Sequence, residues 1–171
     1  ILGMEPAVKL AASFKLPGKI VVIGTGMTLK SERMDALIEK FGKGYDIVKL
    51  PFRDVIVTIE KGIIQGDEIE ATMAGYFKDL DPKEISTVVF GCTHFGVLEK
   101  SIKKVLGHHI KIADGNEGTI RHLANILKKM DLLNPGDRPK ADILFFNSGT
   151  STSLANSKKN FEAHMNNLKN A

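Results

Sequence analysis

The sequence predicts an α/β fold, in which an open parallel sheet with flanking helices is joined to an incomplete second α/β domain. Short β-branched, apolar runs alternate with segments of helical periodicity, a pattern typical of parallel strands joined by crossover helices. Residues 19–24, Lys-Ile-Val-Val-Ile-Gly, form the clearest buried strand and end in a glycine-rich turn. After residue 113 the pattern predicts only one more strand, which is too few for an independent sheet.

The remaining elements follow from the same two patterns, in chain order. Strands are predicted where β-branched runs meet a turn signal, at residues 19–24, 46–50, 87–91, 109–113 and 142–146. Helices are predicted where apolar residues recur at 3.6-residue spacing, at residues 29–41, 54–61, 67–80, 100–106, 119–130 and 155–168. Pro51 ends the second strand because it has no N–H to donate to the ladder. The helix that begins at Asp67 has Glu70 three residues on, which is close to a capping box.

These elements divide the chain into two parts. Residues 1–113 form a nearly complete four-stranded α/β domain, and residues 114–171 form the returning part of another α/β domain whose first half is missing. One strand and two helices cannot bury an apolar face without a partner sheet. We therefore expect residues 114–171 to pack on the edge of the first domain, with Ile143 and Phe145 exposed, or to be completed by a second copy.

Composition excludes several classes of protein. The 171 residues carry a net charge of +4, with lysine and arginine scattered among acidic residues, and they include no tryptophan and two tyrosines. This is a poor platform for stacking nucleic acid bases, so no nucleic acid partner is expected. A single cysteine excludes an intramolecular disulfide framework and is typical of the reducing cytoplasm. No apolar stretch reaches the length of a membrane span, and the histidines match no zinc pattern, so we expect neither a membrane location nor a metal.

The single cysteine, Cys92, lies in the segment 88–95, Val-Val-Phe-Gly-Cys-Thr-His-Phe. An apolar run places it at the carboxyl end of a strand, where open α/β sheets carry their chemistry, and His94 follows two residues later. A thiol beside a group that promotes its ionisation can react as the thiolate. Burial as a small apolar residue explains the same position equally well.

Two other strand ends are candidate binding sites. Residues 24–29, Gly-Thr-Gly-Met-Thr-Leu, follow a strand and precede a helix, but Leu29 stands where a dinucleotide fingerprint requires glycine or alanine. We therefore expect no nucleotide cofactor, while Thr25 and Thr28 could hold a carboxylate or simply cap the helix. Asp114 follows the fourth strand and precedes Gly-Asn. Its carboxylate could lie at the same edge of the sheet as Cys92, or it could form a turn, and the sequence favours the turn.

Four segments together resemble the cofactor-independent glutamate racemase family. They are 2–9 (Leu-Gly-Met-Glu-Pro-Ala-Val-Lys), 24–31 with its two threonines, 91–99 (Gly-Cys-Thr-His-Phe-Gly-Val-Leu-Glu) and 112–119 (Ile-Ala-Asp-Gly-Asn-Glu-Gly-Thr). The resemblance spans essentially the whole chain, and the cysteine segment is its most specific part. Phe95 and Gly96 replace the family's Tyr-Pro and Gly115 replaces a serine, from which we expect a change in loop rigidity rather than in the reaction.

The resemblance implies a flavodoxin-like racemase domain that interconverts L- and D-glutamate without a cofactor and supplies D-glutamate for peptidoglycan. Two thiols would flank Cα, with Cys92 as one base and His94 assisting it. Thr93, Thr28 and Thr25 would bind the substrate. The family's first cysteine, in an Ala-Cys-Asn-Thr motif, has no counterpart here. The resemblance therefore implies that the N-terminal third is absent and that this chain alone is inactive.

Two alternatives remain open on the residues themselves. The first is a Cys-His hydrolase with Cys92 as nucleophile and His94 as base, although residues two apart on a turn rarely bring thiol and imidazole into reacting geometry. The second is a non-catalytic α/β remnant that binds an acidic small molecule.

Overall fold

The computed structural model describes residues 3–134, 136, 143–146 and 148–169, and its centre is one parallel sheet. The four strands are β1 (Lys19–Gly24), β2 (Ile47–Pro51), β3 (Ile85–Phe90) and β4 (Lys111–Ala113). They lie in the order β2–β1–β3–β4, and every neighbouring pair is parallel. The predicted α/β class and its open parallel sheet are confirmed.

Eight helices accompany the sheet in the described part of the chain. They are α1 (Val8–Ser13), α2 (Gly26–Leu29), α3 (Glu32–Phe41), α4 (Arg53–Glu60), α5 (Asp67–Phe77), α6 (Glu99–Leu106), α7 (Asn116–Lys129) and α8 (Ser151–Lys169). Short 3₁₀ segments at Pro82–Glu84 and Thr93–Leu98 precede β3 and α6. None of the helices in these described ranges is long and apolar enough to cross a membrane.

The sheet is covered on both faces, which is why every residue of β3 and all but the first of β1 are buried. On one face the largest cluster comes from α4, α5 and α6, including Phe52, Ile59, Met73 and Ile102. A smaller cluster on the other face joins α1, α2 and α3 to the sheet. Each fully buried side chain of this size contributes about 1.5–3 kcal/mol by leaving water, so these two layers hold the strand ends in place.

The loop after β3 passes directly against the end of β1. The Gly91 N–H donates to the Ile23 carbonyl at 2.8 Å, and a Cβ on Gly91 would stand 2.8 Å from the same oxygen. Glycine is therefore required here by close approach rather than by a positive φ. The contact places Cys92 at the carboxyl edge of the sheet, between the two central strands.

The helix predicted at 29–41 is divided, and α1 was not predicted. Thr25 caps α2 through a bond from the Thr28 N–H, and Ser31 caps α3 through one from the Met34 N–H. The expected capping box at Asp67 is wrong by one residue, because Gly66 is the N-cap and makes no side-chain bond. Glu70 instead pairs with Lys104 of α6 at 2.5 Å.

The strand predicted at 142–146 is also wrong for residues 143–146, while Asp142 lies outside the described residues. A strand needs a neighbour for its N–H and C=O groups, and the described sheet ends at β4. The apolar side chains that suggested a buried strand are mostly exposed, at 56% for Ile143 and 88% for Phe146. Phe145 packs edge-on against Phe161 of α8, with 5.4 Å between the ring centres.

The residues after β4 are poorly buried by their own chain. Helix α7 contains no buried residue, and Ile120, Met130 and Leu132 are 60–64% exposed. Helix α8 instead crosses α4 and the 93–98 segment. The division into parts 1–113 and 114–171 stays a prediction.

Candidate active site

The site is built around Cys92, the residue at which the backbone turns from β3 into the 3₁₀ segment 93–98. Cys92 is half-buried and extended, with φ −144° and ψ 144°, and its carbonyl accepts from the Phe95 N–H at 3.2 Å. Phe95 is completely buried against Phe52 and Phe90. Because Phe95 anchors the turn in the core, the thiol and the two residues after it are held at the edge of the sheet.

Cys92, His94 and Glu60 form a continuous chain of contacts. The Cys92 Sγ lies 3.3 Å from His94 Nδ1, and His94 Nε2 lies 2.6 Å from Glu60 Oε1. Glu60 is the last residue of α4 and stands 34 residues before the histidine. Residues two apart on a turn rarely bring thiol and imidazole into reacting geometry, but here the 3₁₀ segment that begins at Thr93 brings the two groups into hydrogen-bond contact.

The neighbours determine the ionisation of the pair. Burial raises the pKa of the Cys92 thiol, but the hydrogen bonds and charge of His94, with a hydrogen bond from Thr93, outweigh it and lower that pKa below its usual value. The hydrogen bond to Cys92, together with that to Glu60, raises the pKa of His94 to about 9 despite partial burial. Both shifts favour the thiolate–imidazolium form of the pair over the neutral thiol and imidazole.

Hydrogen-bond chemistry also fixes the direction of proton movement. An ionised carboxylate only accepts, so His94 Nε2 carries a hydrogen and donates it to Glu60. His94 Nδ1 is then the nitrogen that exchanges a proton with Cys92 Sγ. The arrangement lets Cys92 be either a thiolate base or a thiol acid, with the histidine holding the proton in between.

Cys92 opens into a cavity of about 360 Å³ at the carboxyl edge of the sheet. The polar residues that line it include Thr28, Ser31, Thr93, Asp114 and Asn116. Apolar surface comes from Met4, Met27, Met34 and Phe90. A cavity of this size and lining suits a small polar molecule.

The two threonines of the 24–29 turn have different positions. Thr28 lines the cavity, whereas Thr25 supports it from behind and is not a lining residue. The Thr28 N–H donates to Thr25 Oγ1 at 3.1 Å, and the two hydroxyl oxygens are 2.9 Å apart. When Thr25 gives its hydroxyl hydrogen to Thr28, the Thr28 hydrogen is available to a ligand in the cavity.

Asp114 is both a turn residue and a cavity residue. Its carboxylate accepts from the Asn116 N–H and from Asn116 Nδ2, each at 2.9 Å, which is the turn expected from sequence. Near it, Arg33 and Glu5 form an ion pair at the cavity edge, with Arg33 Nε 2.9 Å from Glu5 Oε1. The pair ties the segment before α1 to α3 at the cavity.

A second cavity, of about 260 Å³, lies on the other side of His94. It is bounded by the end of α4, the 93–98 segment and α8, with Glu60, Ser157 and Asn160 among its lining residues. Thr93 borders both cavities, and Cys92 borders only the first. Within the described ranges, no three histidine, cysteine or acidic side chains group together as a metal site requires.

Several curated proteins with similar sequences are glutamate racemases. No family model matches the chain. A glutamate racemase of Clostridium botulinum (strain Alaska E43) is 37% identical over 163 residues, which are 95% of this chain and 63% of the relative. Over nearly its whole length this chain is similar in sequence to glutamate racemases.

Solved glutamate racemases agree in fold. An isoform from Bacillus anthracis superposes with a TM-score of 0.71 at 25% identity, over 91% of this chain and 59% of that one. The enzyme of Francisella tularensis, solved in complex with D-glutamate, gives a TM-score of 0.70 at 21% identity over the same shares. The chain thus spans about 60% of the length of the glutamate racemases it matches.

Sequence reasoning did not identify Glu60. The only local hint was an acidic residue at the end of a short helix, where it opposes the helix dipole and where a lysine or arginine is the usual choice. An unfavourable charge at a helix end is a weak indication of a partner elsewhere. Its partner, His94, became apparent only from the packing of α4 beside the 93–98 segment.

Proposed function

We propose that this chain supplies one side of a glutamate racemase active site, with Cys92 as the base that exchanges the Cα proton on one face of glutamate. The observation that carries the proposal is the Cys92–His94–Glu60 series beside the 360 Å³ cavity. A thiolate stabilised by an imidazolium can take a proton from carbon, and as a thiol it can return one.

The step balances without a cofactor. The Cα–H bond breaks and an S–H bond forms on Cys92, while the electron pair stays on Cα and spreads toward the α-carboxylate. His94 remains protonated and donates to the sulfur, and Glu60 stabilises the imidazolium. Return of a proton to the same face restores the starting enantiomer, so inversion needs a second base on the opposite face. Since the 171 residues contain one cysteine, a second thiol is not available from this sequence.

The carboxylates of glutamate find donors among the hydroxyls of the cavity. Thr28, with its hydroxyl oriented by Thr25, and Thr93, next to the thiol, are the residues we assign to them. Hydrogen bonds to a charged group contribute about 1.5–3 kcal/mol each, so two such contacts account for binding in the millimolar range or better.

The test follows deuterium at Cα of D- and L-glutamate by proton NMR in D₂O, with optical rotation measured on the same samples. We expect the chain to exchange the Cα proton slowly with retained configuration, and Cys92→Ala to abolish the exchange. Racemisation by the chain alone at the rate of a whole enzyme, or exchange that persists in Cys92→Ala, would contradict the assignment. A covalent acyl-enzyme on Cys92, trapped and detected by intact mass, would instead indicate the hydrolase.

The wider role follows from the same reaction. We propose that the whole enzyme makes D-glutamate for peptidoglycan in the cytoplasm, the compartment that a single free cysteine suits. We also propose that the chain associates with itself through the exposed apolar residues Ile120, Met130 and Leu132, since exposed apolar side chains favour association. Sedimentation equilibrium tests this point, and a monomer at all concentrations would contradict it.

A further inference from the structure

Helix α8 makes two side-chain hydrogen bonds to the end of α4. Asn156 Nδ2 donates to the Glu60 carbonyl at 2.9 Å, and Asn160 Nδ2 donates to the Ile59 carbonyl at 2.9 Å. The donors stand 96 and 101 residues after their acceptors. The two asparagines are one helical turn apart, so both amides lie on the same face of α8.

These bonds complete the carboxyl end of α4. The last carbonyls of a helix have no partner within it. The Val57, Thr58 and Ile59 carbonyls accept from the N–H groups of residues 61, 63 and 62, respectively. Asn156 donates a hydrogen bond to the carbonyl of Glu60, the last residue of the helix. Asn160 donates a second hydrogen bond to the Ile59 carbonyl, which already accepts from Gly62.

Helix α8 is in van der Waals contact with the turn that follows α4. Gly62 has φ +83° and turns the chain away from the end of α4, and a Cβ on it would stand 3.5 Å from Asn156 Oδ1. Asn160 Oδ1 is buried and finds no hydrogen-bond partner in the described part of the chain, so its donor contact to Ile59 is what orients that amide. Helix α8 therefore contacts α4 at the residue whose carboxylate reaches His94.

We propose that Asn156 and Asn160 are positioning residues that hold the backbone of Glu60 so that its carboxylate stays on His94. The inference rests on the proposed role of Cys92 and His94 in proton transfer, and it adds that α8 controls this pair from outside the substrate cavity. The Glu60 side chain is 58% exposed, so packing alone does not hold its carboxylate. Its position follows from where the end of α4 is held.

The charged groups near His94 decide how the test is read. Cys92 and Glu60 contact the imidazole directly. From α8, Lys159 approaches the end of α4, with Nζ 3.5 Å from the Cβ position of Gly62. Loss of the Lys159 charge would favour the imidazolium, whereas loss of the Glu60 contact would disfavour it, so the two effects have opposite signs.

The experiment measures the pKa of His94 by NMR of its ring nitrogens in the 171-residue chain. We expect Asn156→Ala, Asn160→Ala and the double variant to lower this pKa by about 0.5 unit or more, in the same direction as Glu60→Gln. Lys159→Gln is the matched control on the same helix and should leave the pKa unchanged or raise it. Each single variant keeps one of the two hydrogen bonds from α8 to α4. If the double variant does not fold, the pKa of His94 in the two single variants tests the proposal.

A double-mutant cycle separates positioning from a general loss of structure. In the Glu60→Gln background the asparagine variants should cause no further change in the pKa of His94, because the residue through which they act is gone. An unchanged pKa in the single variants, or an equal fall in the Glu60→Gln background, would overturn the proposal. The readout needs no turnover, so a failed deuterium exchange with the expected pKa pattern refutes the proposed function and leaves the positioning role intact.

Discussion

Replacing Phe95 by alanine tests whether the turn that carries Cys92 and His94 is anchored in the core. Phe95 is 0% exposed, and its ring meets Phe52 and Phe90 edge-on, with centres 5.8 and 6.4 Å away. Truncation of a buried phenylalanine costs about 3–5 kcal/mol, because transfer energy is lost and a cavity is left. For a chain of this length the melting temperature should fall by roughly 6–20 °C.

The assay is urea denaturation followed by circular dichroism, with the free energy of unfolding extrapolated to water. Phe95→Leu keeps most of the volume and should cost less than about 1.5 kcal/mol. Phe146→Ala is the matched control, since this ring is 88% exposed and its loss should change stability by no more than about 0.5 kcal/mol. A cost below about 1.5 kcal/mol for Phe95→Ala, or an equal cost for Phe146→Ala, would refute the anchoring argument.

Three further predictions test the site and its support. Glu60→Gln should lower the pKa of His94 from about 9 toward 6.5 and raise the pKa of Cys92, so alkylation of Cys92 by iodoacetamide at pH 6.5 should slow several-fold. The pKa of His94 is raised in the folded state. Its contribution to the free energy of unfolding is therefore complete below pH 6.5 and is lost as the pH rises through about 9. Thr28→Val should weaken glutamate binding in calorimetry by roughly 10- to 100-fold, while Thr72→Val on α5 should leave it unchanged. Gly18→Ala should destabilise the chain by about 1–3 kcal/mol. At Gly18 φ is +111°, and an added Cβ would stand 2.6 Å from the Glu84 carbonyl oxygen. Gly26→Ala is the control and should be neutral or stabilising, because no atom lies within 4 Å of its Cβ position.

The parts of the fold that could be predicted are those that local pattern controls. The strands at 19–24 and 85–90 are buried on both faces because they lie between two helical layers, and the runs at 19–24 and 87–91 predicted them. The position of Cys92 at a strand end followed from the same run. The run at 143–146 has a similar composition but no neighbouring strand, so composition alone could not distinguish it from a true strand.

The sequence by itself therefore determined the α/β class, most of the elements, and the placement of Cys92 and His94 on one turn. Only the tertiary structure decided that Glu60 contacts His94 and that Asn156 and Asn160 hold the end of α4. Those contacts join residues 34 to 101 positions apart, and they depend on how helices pack on the sheet rather than on local periodicity. Hydrophobic pattern specifies which face of an element is buried, but the partner it meets is decided by topology.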